Sequence, residues 1–139
     1  MKGGPVNAGP ARPAGGNETI LMVEDQGIVR RMTVRILQAL GYSIIEAANG
    51  REGHKIFADR NEEIDLVILD LTMPEMSGTE MLQKMKEINP RLKVIITSGY
   101  PRDEPVNELV RQGAGFLQKP FPIEELADAI RRLLGQPQD

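Results

Sequence analysis

Short apolar runs alternate along this chain with longer segments in which apolar positions recur every three or four residues. The compact runs are Ile20 to Val23, Ser43 to Ala47, Leu66 to Asp70, Lys93 to Thr97 and Gly115 to Gln118. An unbroken run such as Leu66-Val67-Ile68-Leu69 predicts a strand buried on both faces, the environment of a parallel sheet covered by helices. The second run is the least apolar. After the first, Val29, Met32, Ile36, Leu37 and Leu40 predict a helical core stripe closed by Gly41. After the fifth, Ile123, Leu126, Ala127, Ile130 and Leu134 form another, with Arg131 and Arg132 near the helix end, where cations suit the dipole. The intervening helices are predicted over Gly50 to Arg60, Gly78 to Ile88 and Glu104 to Gln112, with Pro105 placed in a first turn. Strands and helices in strict alternation predict an α/β fold, a doubly wound (βα)5 unit around a five-stranded parallel sheet.

Composition narrows this picture. The chain has 139 residues, 40% of them hydrophobic, enough for one domain with a real core. Residues 1–16 are rich in Gly, Pro and Ala without apolar periodicity, and read as a disordered linker or tail before a domain over 17–136. Cysteine is absent, which excludes disulfides, thiolate metal sites and cysteine nucleophiles, and fits a cytoplasmic setting. No stretch reaches the roughly 20 apolar residues needed to span a bilayer, and Met1-Lys2-Gly3-Gly4 leads into no signal peptide. A net charge of −3 argues against direct nucleic-acid binding.

Reactive side chains fall at one end of the predicted scaffold. Glu24 and Asp25 follow the first strand, Asp70 ends the third, Ser98 follows the fourth and Lys119 follows the fifth. The carboxyl ends of the strands in an open parallel sheet line one crevice, where ligands bind. Three carboxylates held together there raise their own pKa values or take up a cation. Oxygen-only ligands suit Mg²⁺, which is commonly held by one or two carboxylates and a phosphate. Asp70 then reads as a nucleophile toward a phosphoryl group, with the metal, Lys119 and a donor near Ser98 offsetting its charge. Any one of these residues taken alone would be read as a turn or a helix cap. Their joint order carries the signal.

At these residues the chain resembles the receiver domains of two-component response regulators, over about Glu18 to Leu134. The resemblance implies the chemotaxis-regulator fold, flavodoxin-like with strand order 2-1-3-4-5. It implies an acidic pair in Glu24 and Asp25, with Asp25 a direct Mg²⁺ ligand and Glu24 acting mainly through water, and Mn²⁺ able to substitute. Asp70 resembles the phosphoacceptor, and the backbone carbonyl of Thr72 would be a further metal ligand. Met73-Pro74 matches the loop after the nucleophile, Gly78 opens the next helix, and Lys119-Pro120 matches the lysine with its cis peptide bond. Ser98 rather than Thr97 takes the switch-hydroxyl position, because a small residue, Gly99, follows it. Phe116 holds the aromatic switch position, and Thr72 and Tyr100 hold positions that tune acyl-phosphate hydrolysis.

The function so implied is a phosphoacceptor that takes a phosphoryl group from a histidine kinase or histidine phosphotransfer domain onto Asp70. It phosphorylates and dephosphorylates itself, so it is a signalling domain rather than a conventional enzyme. Output is expected from the surface of the fourth helix, fifth strand and fifth helix. The sequences around Gly16 to Leu21, Ser98 to Tyr100 and Phe116 to Phe121 resemble C-terminal receivers of hybrid histidine kinases, whose parent could be membrane-anchored. With the chain closing at Asp139, no effector domain is expected to follow, and a stand-alone regulator is the alternative. A monomer or weak dimer is expected. A haloacid-dehalogenase-type hydrolase would need an aspartate at Thr72, and a flavodoxin-like binder would need a phosphate-cradling loop where Glu24-Asp25 stands. A pseudo-receiver is disfavoured because each site position holds a competent residue. His54 is read as a surface residue, Met73, Met76, Met81 and Met85 as loop and core packing, and Arg30, Arg31 and Arg35 as a solvated helix face.

Overall fold

The computed structural model describes residues 15–72 and 78–135. Its strands are β1 (Thr19–Val23), β2 (Ser43–Ala47), β3 (Leu66–Asp70), β4 (Val94–Ser98) and β5 (Gly115–Gln118). The helices are α1 (Gly27–Ala39), α2 (Gly50–Arg60), α3 (Gly78–Ile88), α4 (Glu104–Arg111) and α5 (Ile123–Leu134). All neighbouring strands are parallel, in the order β2-β1-β3-β4-β5. This is the predicted flavodoxin-like (βα)5 fold. Most of the linker expected over 1–16, and the expected Met73, Pro74 and Met76 loop, lie outside the described residues.

Side-chain alternation along the central strands splits the core into two layers. Leu21, Val23, Val67, Leu69 and Ile96 face one way, against Phe57 of α2 and Met81, Leu82 and Met85 of α3. Ile20, Met22, Leu66, Ile68 and Ile95 face the other, against Val34 and Leu37 of α1 and Leu126, Ala129 and Ile130 of α5. Leu109 of α4 packs on the first layer. Every residue of β3 is buried, as an apolar run flanked by helices on both sides requires.

Helix boundaries follow local chemistry. The Asn49 side chain accepts from the Glu52 N–H to start α2, and Asp103 accepts from the Val106 N–H to start α4, with Pro105 in its first turn. Gly41, at φ 104°, takes the left-handed conformation that ends α1.

Two expectations need correction. β4 runs to Ser98 rather than Thr97, because Ser98 still pairs with Gln118 and its carbonyl accepts from the Lys119 N–H. The core face of α1 is also not the predicted stripe. Leu37 is buried and Leu40 packs against the same layer, but Met32 is 60% exposed and Val29 and Ile36 are 37% and 39% exposed, while Val34 takes an inward position. Apolar residues lie on more than one side of this helix, so spacing alone did not select the face that packs.

Candidate functional site

Four strand ends bring the polar residues together. Glu24 sits one residue past β1, Asp70 closes β3, Ser98 closes β4 and Lys119 sits one residue past β5. Because the strands are parallel and in register, these positions share the carboxyl rim of the sheet. The Lys119 Nζ donates to Glu24 Oε1 at 2.7 Å and to Asp70 Oδ2 at 3.1 Å. Glu24 and Asp70 are both buried, at 1% and 2% exposure, while Asp25 lies exposed beside them. One oxygen from each of the three carboxylates falls within 4.8 Å of the others.

Charge balance explains the electrostatics. Two buried carboxylates and a third at the mouth face one ammonium, which leaves the rim with excess negative charge. Burial pushes the Glu24 carboxyl above its ordinary range; the Lys119 hydrogen bond opposes this, and the charge of Asp70 adds to it. Burial works the same way on Asp70, but there it is outweighed. Its Oδ1 accepts from the Thr72 hydroxyl at 2.7 Å and the Thr72 N–H at 3.0 Å, and with the Lys119 charge these hold the carboxyl below its usual range. For Lys119 burial disfavours the charge, and the bonds to Glu24 and Asp70 prevail and raise its pKa. An all-oxygen donor set with surplus negative charge fits a hard divalent cation such as Mg²⁺.

The remaining residues surround this cluster. Thr72, Ser98 and Tyr100 line an open cleft of about 400 Å³ together with Leu71, Gly78 and Val106. The Ser98 Oγ accepts from the Tyr100 N–H at 3.0 Å, whereas the neighbouring Thr97 hydroxyl is buried with no hydrogen-bond partner among the described residues. Tyr100 is 69% exposed. Phe116 is half-buried on β5, packed against the layer that holds α2 and α3. The Lys119–Pro120 peptide is cis.

Arg30 is a residue that sequence reasoning places wrongly. Its pattern assigns it to a solvated face, but its side chain is only 13% exposed. Its Nη1 donates to the Glu24 carbonyl at 2.6 Å and its Nε to Glu46 Oε1 at 3.0 Å. The available signal was position. A helix that begins just after the acidic pair carries residue 30 back over the β1–α1 loop within one turn. His54, expected at the surface, is half-buried on α2.

Residues 20–131 match the response regulator receiver domain family. The chain is 39% identical over 120 residues to the sensor kinase CckA of Brucella abortus, covering 86% of this chain and 13% of that protein. It is 37% identical over 119 residues to sporulation initiation phosphotransferase F of Bacillus subtilis, covering 85% of this chain and 94% of that one. The structure of the response regulator TrrA of Thermotoga maritima, in complex with Mg²⁺–BeF, superposes with a TM-score of 0.73. That match is 32% identical and covers 84% of this chain and 98% of the other.

Proposed function

The chain belongs to the response regulator receiver domain family of two-component systems, and on that premise we propose that Asp70 accepts a phosphoryl group from a phosphohistidine. Receiver domains interact with histidine kinases or phosphotransfer proteins. The observation that carries the proposal is the single ammonium of Lys119 bonded to both Glu24 and Asp70, with Asp25 completing a three-carboxylate cluster.

In the transfer an Asp70 carboxylate oxygen attacks phosphorus, the new O–P bond forms, and the P–N bond to the donor imidazole breaks. Lys119 moves its hydrogen bonds from the carboxylates toward the phosphoryl oxygens, where charge accumulates. Glu24, Asp25, Asp70 and the Thr72 carbonyl would hold Mg²⁺, or Mn²⁺ in its place, which supplies positive charge against the carboxylates and the phosphoryl group. The product adds a charge of about −2 at the rim. Ser98, whose oxygen accepts from Tyr100, keeps its hydroxyl hydrogen to donate to that new anion. Phe116 then rotates toward the space Ser98 leaves, and the α4–β5–α5 surface changes shape. Thr72 and Tyr100, both exposed at the cleft, set water access to the acyl phosphate.

Partner docking is supported on α1. Ile28 and Met32 are 73% and 60% exposed, beside Val29 and Ile36, an apolar patch flanked by Arg31 and Arg35. The chain spans 13% of the length of the sensor kinase CckA and 94% of that of the sporulation phosphotransferase. We place the hybrid reading first, on the flanking sequences noted above, with a cytoplasmic domain that contacts neither membrane nor nucleic acid. Among the described residues no helix is long and apolar enough to cross a membrane.

Intact mass after incubation with acetyl phosphate tests the reading. A Mg²⁺-dependent gain of one phosphoryl group that disappears in Asp70→Asn supports it. Failure to gain mass with both acetyl phosphate and a phosphorylated phosphotransfer domain would sink it.

A further inference from the structure

Arg30 makes a pair of hydrogen bonds that the transfer chemistry does not use. Its guanidinium joins the carbonyl of Glu24 to the carboxylate of Glu46, a residue of β2 that lies beside Met22 of β1. The carbonyl it grips belongs to the peptide between Glu24 and Asp25. On the other side of Glu24, the N–H donates to the Ala47 carbonyl at 3.1 Å, and the Glu24 Oε2 accepts from the Gln26 N–H at 3.2 Å. Fixing that peptide plane fixes ψ of Glu24 and φ of Asp25, and so the direction in which the exposed Asp25 carboxylate leaves the backbone.

Three carboxylates brought within 4.8 Å repel one another. The loop could relieve this by swinging Asp25 outward, and Arg30 ties down the backbone that would swing. The anchor at the other end is firm, because Glu46 sits in a strand. Arginine suits this double attachment, since its planar fork presents Nε and Nη1 to two acceptors in a fixed geometry, whereas the donors of a lysine all radiate from one nitrogen. We propose that Arg30 is a positioning residue for cation binding, holding the Glu24–Asp25 peptide so that Asp25 is presented to a divalent ion. This rests on the reading of the rim as a Mg²⁺ site.

The charge of Arg30 and its position act in opposite directions. A bare positive charge near the site would weaken cation binding, so its removal would tighten it. A positioning role predicts the reverse. The test is a Mg²⁺ titration of the full unphosphorylated chain, followed by calorimetry and by the amide shifts of Glu24 and Asp25, with circular dichroism to confirm folding. Arg30→Ala is expected to weaken Mg²⁺ binding about tenfold, the scale on which residues that orient metal ligands act. Arg30→Lys should fall between that and the parent. Glu46→Ala should cost a smaller factor, and combining it with Arg30→Ala should add nothing further.

A folded Arg30→Ala protein with unchanged or tighter Mg²⁺ binding overturns the proposal. Should that variant not fold, unchanged binding in Glu46→Ala overturns it instead. A parent protein that binds no Mg²⁺ at all defeats the metal-site reading itself, whereas parent binding with indifferent variants defeats only the role of Arg30.

Discussion

At the carboxyl rim of the sheet one ammonium, Lys119, serves two buried carboxylates, with Asp25 beside them; at the amino rim Glu18 and Asp65 each have a partner of their own. There Arg131 of α5 grips Glu18 through both terminal nitrogens, at 2.7 and 3.4 Å, and reaches the Gly15 carbonyl at 3.1 Å. Asp65 accepts from the Thr19 N–H at 2.9 Å. The pKa directions follow the same division. Glu24 is raised by burial against what its partner offers, while for Glu18 burial is outweighed by the Arg131 hydrogen bond, backbone hydrogen bonds and the Arg131 charge together, which lower it. The carboxylates of one rim are satisfied as they stand, and those of the other keep an excess of negative charge that an incoming cation relieves. Local conflict of this kind is where function is expected in an otherwise consistent fold.

The largest expected effect comes from removing the proposed nucleophile. Asp70→Asn abolishes the acetyl-phosphate mass gain, and because the Thr72 and Lys119 interactions outweigh burial and hold the Asp70 carboxyl below its usual range, losing that charge should also lower the thermal midpoint at neutral pH. An unchanged or higher midpoint would mean that repulsion from Glu24 and Asp25 outweighs those bonds. Next is Lys119→Ala, which leaves Glu24 and Asp70 buried without their shared cation. Denaturant unfolding should show a loss of about 3 kcal/mol, the lower end for breaking a buried pair, because Lys119 keeps some solvent contact. Millimolar Mg²⁺ should return part of it, by binding the folded state alone.

Thr97→Val probes a buried hydroxyl that has no partner among the described residues. Replacing it by a methyl group should leave stability unchanged or raise it by about 1 kcal/mol, with phosphorylation intact. Ser98→Ala should instead blunt the response of Phe116 to beryllofluoride, read by its ring resonances. Equal responses from the two variants would erase the distinction drawn between the adjacent hydroxyls.

The smallest effect belongs to the satisfied rim. Glu18→Gln should cost about 0.2–1 kcal/mol at neutral pH, since the pair is partly solvated. The folded-state pKa of Glu18 lies below its unfolded value, so its contribution is full above the unfolded pKa and is lost as pH falls through the folded one. Parent and variant should therefore converge in stability below about pH 4, a carboxylate's ordinary titration range. A gap that persists there would show that the pair stabilises by packing rather than by charge.

What the sequence determined is what periodicity and strand direction can encode. Unbroken apolar runs flanked by helical segments allow only a covered parallel sheet, and that sheet places whatever follows its strands on one rim. Glu24, Asp25, Asp70, Ser98 and Lys119 were therefore legible as neighbours from their order alone, and the strand order followed from the resemblance those residues carry. The tertiary structure decided what depends on distance between elements far apart in sequence. It gave Lys119 to both carboxylates rather than one, buried Glu24 while leaving Asp25 open, and let β4 run on to Ser98. On α1 it chose Val34 over Met32 and Ile36, because a helix with apolar residues on several sides offers more than one stripe and only the neighbouring layer selects among them. Arg30 shows the same limit for charge. An arginine on a helix surface is read as solvated until a carbonyl and a carboxylate from two other segments are known to lie within its reach.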